Sequence, residues 1–169
     1  MKKREIEKKF LIKYPSEALL ASILPTDKSH IVQTYLISEK NVTARVRLRK
    51  FSDCTKYYKT LKMRISDMSA FEDEREISEA EYISELKNAD PQRNSVEKER
   101  LLLREGNHVF EIDIYPFWSD RAVMEVELDS EDETFCIPKS IEVILDVTGD
   151  RRYKNAALAR EIPMDEILK

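Results

Sequence analysis

Residues 1–10 read M-K-K-R-E-I-E-K-K-F, and the spacing Glu5-x-Glu7-x-Lys9 within them decides how the rest of the chain is interpreted. In an extended strand, alternate side chains point to the same face. Glu5, Glu7 and Lys9 therefore form one row of two carboxylates and an ammonium group, and Ile6 and Phe10 belong to the opposite, apolar row. A solvated polar face would explain one such strand. Another explanation is needed only if later strands repeat the pattern.

Later segments do repeat it, and each carries charges of mostly one sign on the face opposite its apolar residues. The basic rows are Arg45/Arg47 with Arg49 as a third arginine, Lys62/Arg64 and Lys98/Arg100, and the acidic rows are Glu72/Glu74/Glu76, Glu111/Asp113 and Glu125/Glu127. A solvent-facing sheet normally mixes both signs, because like charges on neighbouring strands repel. Rows of one sign are better explained by a closed cavity, with a solvated sheet as the alternative.

The remaining pattern predicts one domain. Strands are predicted at residues 29–38, 43–51, 56–65, 71–78, 95–105, 109–115 and 122–129, and helices at 16–24, 79–88 and 154–160. In the second helix, Ala80, Ile83 and Leu86 lie on a common stripe. Met164, Ile167 and Leu168 are expected to dock a last amphipathic turn on the barrel. We therefore expect a single α+β domain over residues 1–169, with about eight strands joined mostly by short turns.

Composition and charge exclude several classes of function. The chain has 169 residues, of which 37% are charged, yet its net charge is only −4 and no basic patch of the kind that binds nucleic acid is present. No apolar run is long enough to cross a membrane and no signal segment begins the chain, so a cytoplasmic protein is expected. Cys54 and Cys136 lack metal or disulfide spacing and are predicted to be buried thiols. With only two glycines, the chain cannot form a phosphate-cradling P-loop or a dinucleotide-binding turn.

The charged rows themselves indicate a ligand. Carboxylate oxygens without a histidine or cysteine cluster favour Mg²⁺ or Mn²⁺ over zinc. Several arginines and lysines that converge on one point suit a triphosphate, since arginine offers planar forks and lysine a point charge. In a chain this poor in glycine, phosphate recognition must come from side chains.

Eight ordered segments resemble the CYTH family of triphosphate tunnel metalloenzymes over nearly the whole chain. They include Glu5-Ile6-Glu7-Lys8-Lys9, which matches the ExExK signature, and the Arg45-x-Arg47, Thr60-x-Lys62, Lys98-x-Arg100, Glu111-x-Asp113 and Glu125-x-Glu127 pairs. Further segments are Gln33-Thr34-Tyr35-Leu36 and residues 147–155. Met63 departs from the family, which has a glycine after the T-x-K lysine.

The resemblance implies an eight-stranded antiparallel β-barrel, or tunnel, with a few flanking helices. It also implies roles by position. Metal would be bound by Glu5, Glu7 and Glu127, with Glu125 beside them; phosphates would be held by Lys9, Arg45, Arg47, Lys62, Lys98 and Arg100; Glu74, Glu111 and Asp113 would help a second metal or position water. Lys9 is counted among the catalytic residues as well.

The predicted function is metal-dependent hydrolysis of a triphosphate, with inorganic tripolyphosphate as the first candidate and Mg²⁺ or Mn²⁺ as cofactor. A class IV-type adenylate cyclase, a thiamine triphosphatase and a non-catalytic polyphosphate- or nucleotide-binding module remain alternatives. The expected partner is a small-molecule triphosphate, not a nucleic acid or a membrane. A homodimer stays open, because no seam for one is visible in the sequence.

Overall fold

A computed structural model describes residues 3–166 of the chain. Within that range the strands are β1 (Lys3–Lys13), β2 (Lys28–Leu36), β3 (Val42–Lys50), β4 (Thr55–Arg64), β5 (Ser69–Ile77), β6 (Val96–Glu105), β7 (His108–Ile114), β8 (Arg121–Glu127) and β9 (Val143–Asp146). The α-helices are α1 (Glu17–Ser22), α2 (Glu79–Glu85) and α3 (Asn155–Leu158). Short 3₁₀ turns occupy Pro25–Asp27, Leu86–Asn88 and Arg151–Tyr153.

The sheet closes on itself. Its order is β5-β4-β3-β2-β6-β7-β8-β1, and β1 pairs back with β5 over the register from Lys3↔Glu72 to Ile6↔Ser69. All these pairings are antiparallel. The predicted eight-stranded antiparallel barrel is therefore confirmed. The short β9 was not predicted as a strand; it pairs with β1 at Phe10 to Ile12, past the end of the β5 pairing.

Two helical crossovers connect strands that are not neighbours in the barrel. Between β1 and β2, α1 lies against the outer wall, where Leu19 and Ile23 pack into the same cluster as Phe10 and Met124. Between β5 and β6, α2 begins with a capping box in which Ser78 and Glu81 satisfy each other's backbone N–H groups. The other barrel strands follow one another through short connections. One is the β6–β7 hairpin, whose Gly106 has φ of +58°, a conformation that favours glycine.

Much of the hydrophobic core lies outside the tunnel. Ile6, Phe10 and Ile12 of β1 are buried on the outer wall, where they pack with Ile112 and Val126 under α1 and the 128–142 segment. The alternation predicted from residues 5–12 is thus observed, and it leaves the inner wall to the charged rows.

Tyr82 is the buried residue of α2, with its ring 5.0 Å from that of Tyr57. Of the aliphatic stripe, Ala80 and Ile83 are exposed, and Leu86, just after the helix, packs against the same cluster as Tyr82.

Two predictions about packing are wrong. The first concerns Cys54 and Cys136, which are both exposed free thiols, because they lie in connecting loops and not in strands.

The second wrong prediction concerns the C-terminal segment. Met164 is 72% exposed, and what docks there instead is backbone: Trp118 Nε1 donates a hydrogen bond of 3.0 Å to the Pro163 carbonyl. Ile167 and Leu168, the other members of that predicted turn, lie outside the described residues. Between residues 3 and 166, no helix has the length and apolar character needed to cross a bilayer.

Candidate functional site

The charged rows of the strands face one another across a single cavity of about 1800 Å³. Every residue predicted to bind metal or phosphate lines it, together with two of the predicted catalytic carboxylates: Glu5, Glu7, Lys9, Arg45, Arg47, Lys62, Glu74, Lys98, Arg100, Glu111, Glu125 and Glu127. Asp113 is the one residue with a predicted binding or catalytic role that does not line the cavity. Antiparallel closure explains the convergence, since residues two apart on each strand point into the same interior.

Asp113 lies in the wall behind two of the cations. Its carboxylate is fully buried, accepts two hydrogen bonds of 2.7 Å from Arg100, and lies 2.5 Å from Lys98 Nζ. Burial acts to raise the pKa of Asp113, but Arg100 and Lys98 outweigh it and hold that pKa below its usual range. Asp113 is therefore an ionised anchor that fixes where Lys98 and Arg100 present their remaining donors.

Lys9 is paired with an acidic row of the neighbouring strand. Its ammonium group is 2.5 Å from Glu125 Oε1, and Arg100 Nη2 is 3.2 Å from the other carboxylate oxygen of Glu125. The side chains of Lys9 and Glu125 are almost completely buried. Burial favours the neutral form of Lys9, but Glu125 and Glu7 outweigh it and raise the pKa of Lys9, which therefore stays charged. Glu111 completes this group through a salt bridge to Arg100.

The β3 arginines meet the β5 carboxylates across the tunnel wall. Arg47 forms a salt bridge with Glu74, which also accepts a hydrogen bond of 2.7 Å from the Thr60 hydroxyl. Arg45 Nη2 is 3.7 Å from Glu72. Burial disfavours ionisation of Glu74, yet Arg47, the Thr60 hydrogen bond and Arg45 together outweigh burial and lower the pKa of Glu74.

The structure also shows which members of the longer rows face inward. Arg49 lines the cavity along with Arg45 and Arg47, and its Nε donates a hydrogen bond of 3.0 Å to Ser29 Oγ. Glu72 lines it beside Glu74, whereas the exposed Glu76 does not and instead contacts Lys56 at 3.2 Å.

Three of the four predicted metal ligands lie close together in the strand register. Glu7 is directly opposite Glu127 on β8, and Glu5 follows on the same row of β1. Each of these three carboxylates forms an ion pair: Glu5 with Lys62, Glu7 with Lys154 at an N–O distance of 3.5 Å, and Glu127 with Lys3 at 2.5 Å. As a result, the described residues contain no group of three or more acidic, histidine or cysteine side chains already arranged around a metal position.

The donor chemistry of this row nevertheless fits a hard divalent cation, since every candidate ligand is a carboxylate oxygen. Burial raises the pKa of Glu5 to about 7; Lys62 opposes this, while Glu7 and Glu72 add to it by repulsion. A row of carboxylates whose mutual repulsion is incompletely offset is one that a cation would stabilise.

Sequence reasoning gave little weight to several residues that the structure places in the cavity wall. Lys154, from the segment after β9, reaches Glu7, and burial, with Lys9 adding to it, lowers the pKa of Lys154. Tyr35 and Arg93 also line the cavity. The only available signal for Lys154 was the resemblance of residues 147–155 to the family. Nothing in the sequence pointed to Arg93, which lies in a turn.

At one end of the tunnel the inner rows become apolar. Leu11, Val96, Tyr115 and Val123 continue the charged rows of their strands, and Tyr35 continues the uncharged inner row of β2. Together they form a buried cluster with Trp118, Tyr153 and Leu158 of the loops and C-terminal segment. We call this cluster the apolar end.

No protein-family model matches the chain, and no curated protein matches it. Solved structures do. Two structures of NE1496, described as a hypothetical protein and as an inorganic triphosphatase, share 30% identity with the chain and cover 94% of it. The chain covers 99% and 96% of those structures, and the TM-score is 0.56 for both.

More distant structures share the fold alone. A conserved hypothetical protein from Pyrococcus furiosus has 20% identity and a TM-score of 0.56, covering 76% of this chain and 80% of its own. A putative adenylate cyclase from Bacillus halodurans has 15% identity and a TM-score of 0.52, covering 76% of this chain and 83% of its own.

Proposed function

Because the chain belongs to the CYTH family of triphosphate tunnel metalloenzymes, we propose that it is a metal-dependent triphosphatase that hydrolyses inorganic tripolyphosphate to pyrophosphate and phosphate. The observation that carries this proposal is the meeting of basic and acidic rows inside one closed barrel. The similarity to NE1496, described as an inorganic triphosphatase, supports the choice of substrate.

The basic rows suit a condensed phosphate. Arginines on β3 and β6 and lysines on β1, β4 and β6 all reach the same cavity, so their charges act on one ligand: Arg45, Arg47, Arg100, Lys9, Lys62 and Lys98. In the phosphoryl-transfer transition state, negative charge spreads over the phosphate oxygens, and fixed cations stabilise it without reorganising. Asp113 and Glu125 hold several of these cations in place before the substrate arrives.

The carboxylates of β1 and β8 are the proposed cofactor site. Glu5, Glu7 and Glu127, with Glu125 beside them, would hold Mg²⁺ or Mn²⁺. The bound cation would supply charge neutralisation and orientation of the phosphate oxygens.

Water is the proposed nucleophile, since both cysteines are exposed and neither lines the cavity. Glu74 is suited to orient it. The carboxylate is held ionised by Arg47 and directed by Thr60, so it can accept a hydrogen bond from water. Glu111 lines the same cavity and is the second candidate for this role. No covalent enzyme intermediate is then needed.

The test is release of phosphate from tripolyphosphate with Mg²⁺, with Mn²⁺ and with EDTA, with ATP and thiamine triphosphate measured in parallel. We expect metal-dependent release that is fastest on tripolyphosphate. Preference for thiamine triphosphate would change the substrate assignment, and conversion of ATP to cyclic AMP and pyrophosphate would identify a cyclase. Tight binding of tripolyphosphate without release under any metal condition would identify a non-catalytic binding module.

A further inference from the structure

Tyr35 occupies an unusual place for a tyrosine of a buried apolar cluster. It lies on the inner row of β2, directly opposite Arg45 of β3, and only 2% of it is exposed. The ring belongs to the apolar end, but the residue also lines the charged cavity. Lys9, Arg45 and Arg47, three proposed phosphate-binding cations, all act on its hydroxyl.

The ring and hydroxyl are held from several directions. Gln33, two residues earlier on β2, donates a hydrogen bond of 3.0 Å from Nε2 to the Tyr35 hydroxyl oxygen. The Arg93 guanidinium stands over the ring with its central carbon 5.2 Å from the ring centroid, a cation–π arrangement. Arg45, directly opposite on β3, acts on the hydroxyl through its positive charge.

This arrangement uses the oxygen of the hydroxyl and leaves its proton uncommitted. A phenol has one proton to donate and a lone pair to accept with. No residue between 3 and 166 accepts a hydrogen bond from Tyr35. Burial raises the pKa of Tyr35 even though Arg45 opposes it, so the group remains a donor at neutral pH.

We propose that Tyr35 is a further substrate-binding residue, whose hydroxyl donates a hydrogen bond to a phosphate oxygen where the charged cavity meets the apolar end, and that Gln33 positions it. Phosphate oxygens accept hydrogen bonds and cannot donate them when ionised, so they complement the free proton. The inference deepens the proposed function and rests on it for the identity of the anion.

Gln33 fits a positioning role better than a stabilising one. It is fully buried, and its carbonyl oxygen Oε1 has no hydrogen-bond partner among the described residues. A buried acceptor without a partner costs stability. The Gln33 side chain therefore orients the Tyr35 hydroxyl while it lowers the stability of the fold. Replacing Gln33 with methionine should not lower the melting temperature.

The experiment measures the dissociation constant of tripolyphosphate by isothermal titration calorimetry, in EDTA and again with Ca²⁺. Tyr35→Phe keeps the ring beneath Arg93 and removes only the donor, so we expect binding to weaken about tenfold, the usual effect of losing a hydrogen bond to a charged group. Tyr115→Phe is the matched control. Tyr115 is a buried tyrosine of the same apolar end, but its hydroxyl already donates to Asn155 Oδ1 at 2.6 Å. We expect that variant to bind within about twofold of wild type.

A double variant tests the positioning role. Gln33→Met alone should weaken binding roughly threefold, because Tyr35 keeps its hydroxyl but loses its orientation. If Gln33 acts only through Tyr35, then Gln33→Met combined with Tyr35→Phe will bind no more weakly than Tyr35→Phe alone. Additive losses would show that Gln33 acts independently and would overturn the positioning role.

Equal binding by Tyr35→Phe and Tyr115→Phe would overturn the inference, as would wild-type protein that binds no tripolyphosphate under either condition. The measurement does not require turnover. If wild type binds the anion and Tyr35→Phe weakens that binding, while no metal supports hydrolysis, then the proposed function fails and the role of Tyr35 stands.

Discussion

Arg100 donates two hydrogen bonds of 2.7 Å, from Nε and Nη2, to the two carboxylate oxygens of Asp113 in the tunnel wall. This fork fixes the plane of the guanidinium, and the same arginine reaches Glu111 and Glu125 from there. Asp113 therefore orders the β6 cations, although it does not itself line the cavity.

Asp113→Asn should strongly destabilise the fold. Removing one charge leaves Lys98 and Arg100 buried with less compensation, which typically costs about 3–5 kcal/mol of unfolding free energy. Urea denaturation measures the loss. Saturating tripolyphosphate should restore part of it, because the ligand supplies negative charge to the same cations.

The control for this prediction is Glu131→Gln, which breaks the exposed Arg4–Glu131 pair. Its cost should stay within about 1 kcal/mol. Similar losses for the two variants would contradict the anchoring role of Asp113.

The lowered pKa of Lys98 predicts that kcat/KM depends on pH. Burial, with the Arg100 charge adding to it, lowers the pKa of Lys98 to about 8 from 10.5. The ammonium is charged below about pH 8 and neutral above it, so kcat/KM for the free enzyme should fall roughly tenfold per pH unit above that value. The variant Lys98→Met should have a lower kcat/KM that lacks this step; the same decline in both proteins would assign the titration to another group.

The same shift has a consequence for stability. Because the folded pKa lies below the unfolded value of 10.5, the folded state loses this proton first. The charged, buried Lys98 therefore lowers the free energy of unfolding below about pH 8. Between pH 8 and 10.5 this penalty is progressively lost, so the free energy of unfolding should increase. The stability difference between wild type and Lys98→Met, followed by urea denaturation against pH, should shrink across that window.

Glu7→Gln should abolish most of the activity and leave the fold intact. Glu7 is one of the proposed metal ligands, and its loss should reduce kcat roughly 100-fold or more, with activity restored in part at higher Mg²⁺ or Mn²⁺. Thermal melting checks the fold. Glu76→Gln is the control, since that glutamate lies outside the cavity beside Lys56; full turnover by Glu7→Gln would make the metal assignment wrong.

Lys154→Met should raise KM for tripolyphosphate about tenfold with a smaller effect on kcat, because a charged donor that binds the ground state and the transition state alike would be lost. Steady-state kinetics separates the two constants. The exposed Lys139 provides the comparison, and Lys139→Met should match wild type. An unchanged KM in Lys154→Met would show that the segment after β9 closes the barrel without binding substrate.

The sequence by itself determined the strands and their faces. Alternation at Glu5, Ile6 and Glu7, repeated in the later strands, is a local property that follows from the two-residue period of the extended chain. The same period selected most of the residues that meet in the cavity, because inward-facing positions of a closed barrel converge. It also selected Glu76 and Asp113, which do not line the cavity.

Only the tertiary structure decided what depends on contacts between distant segments. Asp113 lies behind its cations because β6 and β7 pair in the register Arg100↔Asp113, and no strand pattern encodes that register. Lys154 enters the tunnel because β9 pairs with β1 beyond the end of the short β1–β5 pairing and so brings the following segment to the barrel. The setting of the Tyr35 side chain combines Gln33 of its own strand, Arg45 of the neighbouring β3 and Arg93 of the turn before β6. Such contacts are set by long-range geometry, which the two-residue period does not contain.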